Sequence, residues 1–110
     1  MRWGFQVLPD VIIVRLFGTW DKAPGEIFEK AAQKAVLLNK RKILLDFSEV
    51  EAANSLGILF WAYGLHHFQK LGIPTALIQP PSSLLPVLQN HGLNSLPSVF
   101  MTVQDARMTN

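Results

Sequence analysis

The sequence predicts an α/β fold: one mixed β-sheet with an antiparallel edge strand, covered by helices. Three observations carry this. Short apolar or β-branched runs recur at residues 11–17, 43–47, 75–79 and 99–103. Between them lie segments whose apolar residues return at helical spacing. A tight turn, Pro9-Asp10, joins the first of these runs to an earlier extended stretch at residues 5–8. Strands separated by helices pair in parallel through right-handed crossovers, whereas strands joined by a tight turn pair antiparallel.

The elements follow in order. Val11, Ile12, Ile13 and Val14 make a strand suited to burial on both faces, and Gly18 is expected to stop it. Pro24 fits the first turn of a helix, where its missing N–H costs nothing. Ile27, Phe28, Ala31, Ala35 and Leu38 form that helix's apolar stripe, Glu26 stands four residues before Lys30, a pairing offset, and Asn39 is a stop. Residues 43–47 give a second buried strand. A helix then opens at Asn54-Ser55 and runs to about Leu71, where Gly72 and Pro74 end it. Residues 75–79 make a third core strand. Pro80-Pro81-Ser82-Ser83 leads into a short helix over 84–90, and residues 99–103 read as the last strand.

Composition narrows the function classes. With 49% hydrophobic and 16% charged residues, a 110-residue chain can build one core, and residues 1–110 are expected to form one domain. The absence of cysteine removes disulfides, thiolate metal sites and thiol catalysis, and agrees with a reducing compartment. Residues 1–7 show no signal-peptide core, and the longest apolar stretch, 56–65, carries two glycines and falls short of the roughly 20 residues a span requires. A cytoplasmic location without membrane insertion is expected. Net charge is +2, and the basic run Lys40-Arg41-Lys42 reads as a solvated turn, so no nucleic-acid partner is expected. His66 and His67 are adjacent on a helix and point about 100° apart, so they chelate one metal poorly. Ser55 lacks a nucleophile-elbow Gly-x-Ser-x-Gly, and neither phosphate-loop glycine pattern occurs. No enzyme activity, metal or cofactor is expected.

In open α/β sheets, sites collect at the carboxyl ends of the strands. Here those ends carry Gly18-Thr19-Trp20-Asp21, then Asp46-Phe47-Ser48-Glu49, then Asn54-Ser55-Leu56-Gly57 at a helix start. A helix N-terminus presents unpaired N–H groups and partial positive charge, which stabilise a phosphate on Ser55. Asp21 and Asp46, if close, would repel it. The alternative is that Ser55 only caps the helix, a role for which Asn54 is equally suited.

The stretch Ile43-Leu-Leu-Asp46-Phe-Ser-Glu-Val50-Glu-Ala-Ala-Asn54-Ser55-Leu56-Gly57 resembles the STAS (anti-sigma-factor-antagonist) family: an apolar strand ending in an acidic residue, a connector, then Asp-Ser-Ser-Gly opening a helix. Gly18-Thr-Trp-Asp21 is similar to the family's Gly-x-x-Asp, and His91-Gly92-Leu93 to its Gly-Leu after the third helix. Gln104-Asp105-Ala106 matches the start of the usual last helix, here almost absent. The likeness covers residues 5–106 and implies a STAS-type sheet. It also implies a protein partner, a serine kinase/anti-sigma factor, released by phosphorylation at Ser55 in a site lined by Asp21, Asp46, Asn54 and Gly57. Asn54 stands where the family has Asp, and Leu56 replaces a second serine. A STAS subunit of a larger assembly, of stressosome or lipid-transport ATPase type, is the alternative.

The helix beginning at Ser55 carries two apolar stripes. Ile58, Trp61, Ala62, Leu65 and Phe68 suit the sheet; Leu56, Leu59, Phe60 and Tyr63 form a second. Either neighbouring elements cover this second stripe, or Leu56, Leu59 and Tyr63 lie at a partner interface or a homodimer contact.

Overall fold

The computed structural model describes residues 2–20, 26–39, 42–90 and 96–108. Five strands, β1 (Arg2–Val7), β2 (Val11–Trp20), β3 (Lys42–Ala53), β4 (Thr75–Ile78) and β5 (Ser98–Phe100), lie in sheet order β1-β2-β3-β4-β5. β1 pairs antiparallel with β2; every other pair is parallel. The expected mixed sheet with an antiparallel edge strand is therefore the fold. Helices α1 (Glu26–Leu37), α2 (Ser55–Lys70), α3 (Leu84–Asn90) and α4 (Val103–Met108) complete the described elements.

Strand parity decides what each face holds. Ile12, Val14, Leu16, Ile43, Leu45, Phe47 and Leu77 point to one side, where α1, α2 and α3 bury Ile27, Phe28, Trp61, Leu65, Phe68, Leu84 and Leu88 against them. The intervening residues Val11, Ile13, Leu44, Ala76 and Ile78 point to the other side, covered by Ala106 of α4. Both-face burial explains the unbroken apolar runs of β2 and β3. Lys42 Nζ donates to the Ala106 carbonyl at 3.4 Å, and Arg107 Nη2 meets Asp10 Oδ1 at 2.9 Å, pinning α4 to the sheet and to the β1–β2 turn.

Four sequence expectations are corrected. Gly18 does not stop β2: it takes φ 81°, the bulged register shifts there, and the strand continues to Trp20. β3 extends to Ala53 rather than ending at Phe47, because the tail of β2 keeps pairing with it. β1 begins at Arg2 and is six residues long. The last strand ends at Phe100. Thr102 Oγ1 accepts from the Asp105 N–H at 3.1 Å, so Val103 opens a six-residue α4 instead of prolonging a strand. Asn39 ends α1 as expected, in the left-handed region at φ 52°.

α1 and α2 approach closely because Gly64 has no side chain. A Cβ there would stand 2.2 Å from Phe28 Cδ1, and the Phe28 ring fills that space, 5.6 Å from the Phe68 ring. Gly64→Ala should lower the unfolding free energy in urea by about 1–3 kcal/mol, outweighing its gain of about 1 kcal/mol in helix propensity. Combined with Phe28→Leu, it should cost less than the sum of the two changes, because the smaller side chain vacates the contested space.

Candidate functional site

The site is built on the end of β2. Its last residue, Trp20, pairs in register with Ala53, the last residue of β3. The Trp20 indole is fully buried, with Nε1 donating to the Phe17 carbonyl at 3.0 Å. Its ring lies 5.4 Å from that of Trp61, which in turn stands edge-on to Phe47 at 4.9 Å. The Trp20 carbonyl accepts from the Asn54 N–H at 3.0 Å. This bond sets the point at which the chain leaves the sheet.

Asn54 then takes extended geometry (φ −89°, ψ 179°), and its Oδ1 accepts from the Gly57 N–H at 3.0 Å. Asn54 is the N-cap. Gly57 is buried against the Trp20 backbone: a Cβ there would lie 2.5 Å from the Trp20 carbonyl oxygen. The glycine therefore permits the first turn of α2 to sit on the strand end. Ser55 is the first residue of α2; it is exposed, and its hydroxyl is in no hydrogen bond among the described residues. The capping role that was open to Ser55 belongs to Asn54. The first turn of α2 contains no acidic residue of its own to match the positive pole of the helix.

The remaining expected site residues separate. Leu56 and Tyr63 are 52% and 59% exposed, while Leu59 and Phe60 are half-buried and Phe60 packs on the core. Asp46 is not brought to Ser55. It belongs to the opposite face of the sheet from α2, seven residues before the end of β3, about 20 Å along the strand. There it is buried at 5% exposure, its Oδ2 accepting from Arg15 Nη1 at 3.1 Å and its Oδ1 from the Ser48 N–H at 2.9 Å; Arg15 Nη2 also reaches Gln6 Oε1 at 2.8 Å. The carboxylate ties β3 to Arg15 of β2, and Arg15 carries the tie on to β1 through Gln6. Asp21, and the His91-Gly92-Leu93 motif, lie outside the described residues.

The structure adds two residues that the sequence reading missed. A groove of about 600 Å³ between α2 and α3 is lined by Asn54, Ser55, Ile58, Leu59, Ser83 and Val87. α3 follows β4 as α2 follows β3, so both helices start at the same edge of the sheet, and Ser83 and Val87 arrive beside Ser55. The repeated strand–helix order held that information. Among the described residues no His, Cys, Asp and Glu cluster could hold a metal ion, and no helix is long and apolar enough to cross a membrane.

The division of labour at the helix start is measurable. Asn54→Ala should lower the unfolding free energy in urea by about 1 kcal/mol, whereas Ser55→Ala should stay within about 0.5 kcal/mol of the parent.

Comparisons with known proteins agree with this geometry. The STAS domain profile matches residues 2–106. No curated protein sequence matches the chain. The Bacillus cell-fate determinant SpoIIAA in its phosphorylated form is similar in fold: TM-score 0.69, 20% identity, covering 97% of each chain. A Moorella thermoacetica RsbS structure gives TM-score 0.71 at 16% identity, covering 94% of this chain and 90% of that one. A murine solute carrier 26 anion transporter in its inward-facing state gives TM-score 0.66 at 21% identity, with 94% of this chain matched to 18% of the transporter. These identities establish a shared fold, while the profile match over nearly the whole length establishes the family: the chain belongs to the STAS domain family.

Proposed function

We propose that this chain is a regulatory protein-binding module of the anti-sigma-factor-antagonist kind, which binds rather than catalyses and is switched by phosphorylation of Ser55. The observation that carries the reading is the state of Ser55. Its hydroxyl is exposed at the first turn of α2 and free of capping duty, beside the exposed Leu56, with Tyr63 exposed two turns further along the helix. A phosphate there gains the helix pole and places close to two negative charges on an otherwise apolar contact surface. Leu56, Leu59 and Tyr63, with the adjoining α2–α3 groove, are the surface offered to a serine kinase/anti-sigma factor or similar regulator. Among the described residues, those lining that groove carry apolar, amide and hydroxyl side chains, which suit binding. The similarity to phosphorylated SpoIIAA supports the same reading.

A second reading is a subunit held in a larger assembly through the same surface without phosphorylation. Leu56 and Asn54 favour it, since both make the helix start less polar and less acidic than the family pattern. So does the transporter match, in which a STAS-like unit forms a small share of a larger chain.

One experiment separates the two. The purified chain and Ser55→Ala are incubated with ATP and native-host lysate of proven kinase activity, and their intact masses are measured. One added phosphate on the parent alone supports the switch; none on either moves the assignment to the assembly subunit. Leu59→Asp and Leu56→Asp should each abolish partner capture while the far-ultraviolet circular dichroism stays that of the parent. Loss of the folded spectrum in Leu59→Asp would place that side chain in the core instead.

A further inference from the structure

Away from the start of α2, the outer surface of the α1–α2 pair carries large apolar side chains that no described residue covers. Leu37 is 82% exposed, Val36 68% and Leu71 51%. They border a groove of about 420 Å³ that runs between the two helices over Ala32. Glu29 and His67 also line a second hollow of about 270 Å³ bordered by Phe60 and Tyr63, so the two hollows form one groove along both helices, with apolar side chains on either side of that polar pair. Exposed leucines scattered singly mean little, but a contiguous strip of this kind marks a contact surface.

The charges on its two lips name the occupant. The α1 lip carries Glu29 and the uncharged Gln33, Val36 and Leu37; Lys30 and Lys34 are turned to the other flank of α1, over the rings of Trp3 and Phe5 at 5.5 and 5.3 Å. On the α2 side the groove is lined by His67 and Leu71, and Lys70, between them in the chain, is exposed one turn from His67. An acidic lip and a basic lip bordering one apolar groove complement each other when two identical faces meet about a two-fold axis. Such an axis, lying along the helices, sets α1 of one copy on α2 of the other. Glu29 then faces the copy's His67 and Lys70, and Val36 and Leu37 face the copy's Leu71, each contact occurring twice.

We infer that the outer face of α1 and α2 is a self-association surface, on which two copies of this chain form an isologous dimer. The inference does not rest on the Ser55 reading, because the contact needs neither phosphate nor another protein. The helix start at Ser55 and the α2–α3 groove stay open in the dimer, apart from Tyr63 at the margin of both surfaces.

Sedimentation velocity of the full, unmodified chain from about 1 to about 500 µM tests it over the range of a weak to moderate dimer. The expected result is a rise to twice the monomer mass. Leu37→Asp should weaken association at least tenfold with an unchanged circular dichroism spectrum, since that side chain is almost fully exposed. Glu29→Lys and Lys70→Glu should each weaken it, and an equimolar mixture of the two should recover association as a heterodimer, because one copy then carries two basic lips and the other two acidic ones. A monomer across the whole range overturns the inference. So does a dimer that survives Leu37→Asp, including one lost instead on Leu59→Asp, which would place the contact at the start of α2.

Discussion

The whole arrangement at the start of α2 depends on one carbonyl, that of Trp20. It ends the longest central pairing of the sheet, receives the Asn54 N–H, and presents the surface on which Gly57 lies without a side chain. A hydrogen bond of this kind contributes only about 1 kcal/mol net. Its consequence is geometric: it fixes where the chain leaves β3 and how closely α2 follows. Beneath it, Trp20, Trp61 and Phe47 form a buried aromatic stack that a shifted helix would have to break. The stack carries a cost of its own, because Trp61 Nε1 is buried with no hydrogen-bond partner among the described residues. Such a group is tolerated only where the surrounding packing repays it.

The two faces of the sheet are specialised differently. One carries nearly all the large buried side chains and three helices. The other is thinly covered by α4 and depends on polar ties: Asp46 with Arg15 and Gln6, Lys42 with the end of α4, and Arg107 with Asp10. Asp46 is the buried member of the first tie, so its Arg15 contact offsets a desolvation that no apolar neighbour could. Here the side chain that the family resemblance allotted to the site serves to join β3 to β2, with Arg15 extending the link to β1.

Much of the architecture was legible from the chain because it follows from burial. The β-branched run of β2 and the stripe Ile58, Trp61, Ala62, Leu65 and Phe68 of α2 are apolar where the structure buries them. What escaped was decided by pairing or by backbone angle. Residues 48–53 pair only with β2, so they are not apolar on both faces and resemble a connector. Gly18 looks like a breaker until its positive φ is known, and Val103 looks like a strand residue until Thr102 caps the helix ahead of it. At the site, Asn54 and Ser55 have nearly equal capping propensity, and only the extended angles of Asn54 decide between them. The side of the sheet to which Asp46 points was likewise a matter of parity relative to helices whose placement the local sequence does not contain.

The choice of cap has a consequence for how such a module diversifies. Because the amide side chain of Asn54 holds the first turn, the neighbouring position is released from structural selection. Residue 55 is therefore a place where serine, threonine, alanine or an acidic residue could be exchanged with little penalty to the fold. Lineages built on this arrangement could gain, lose or mimic a negative charge at the helix start by a single substitution. Control of the module could then evolve on a timescale separate from that of its scaffold.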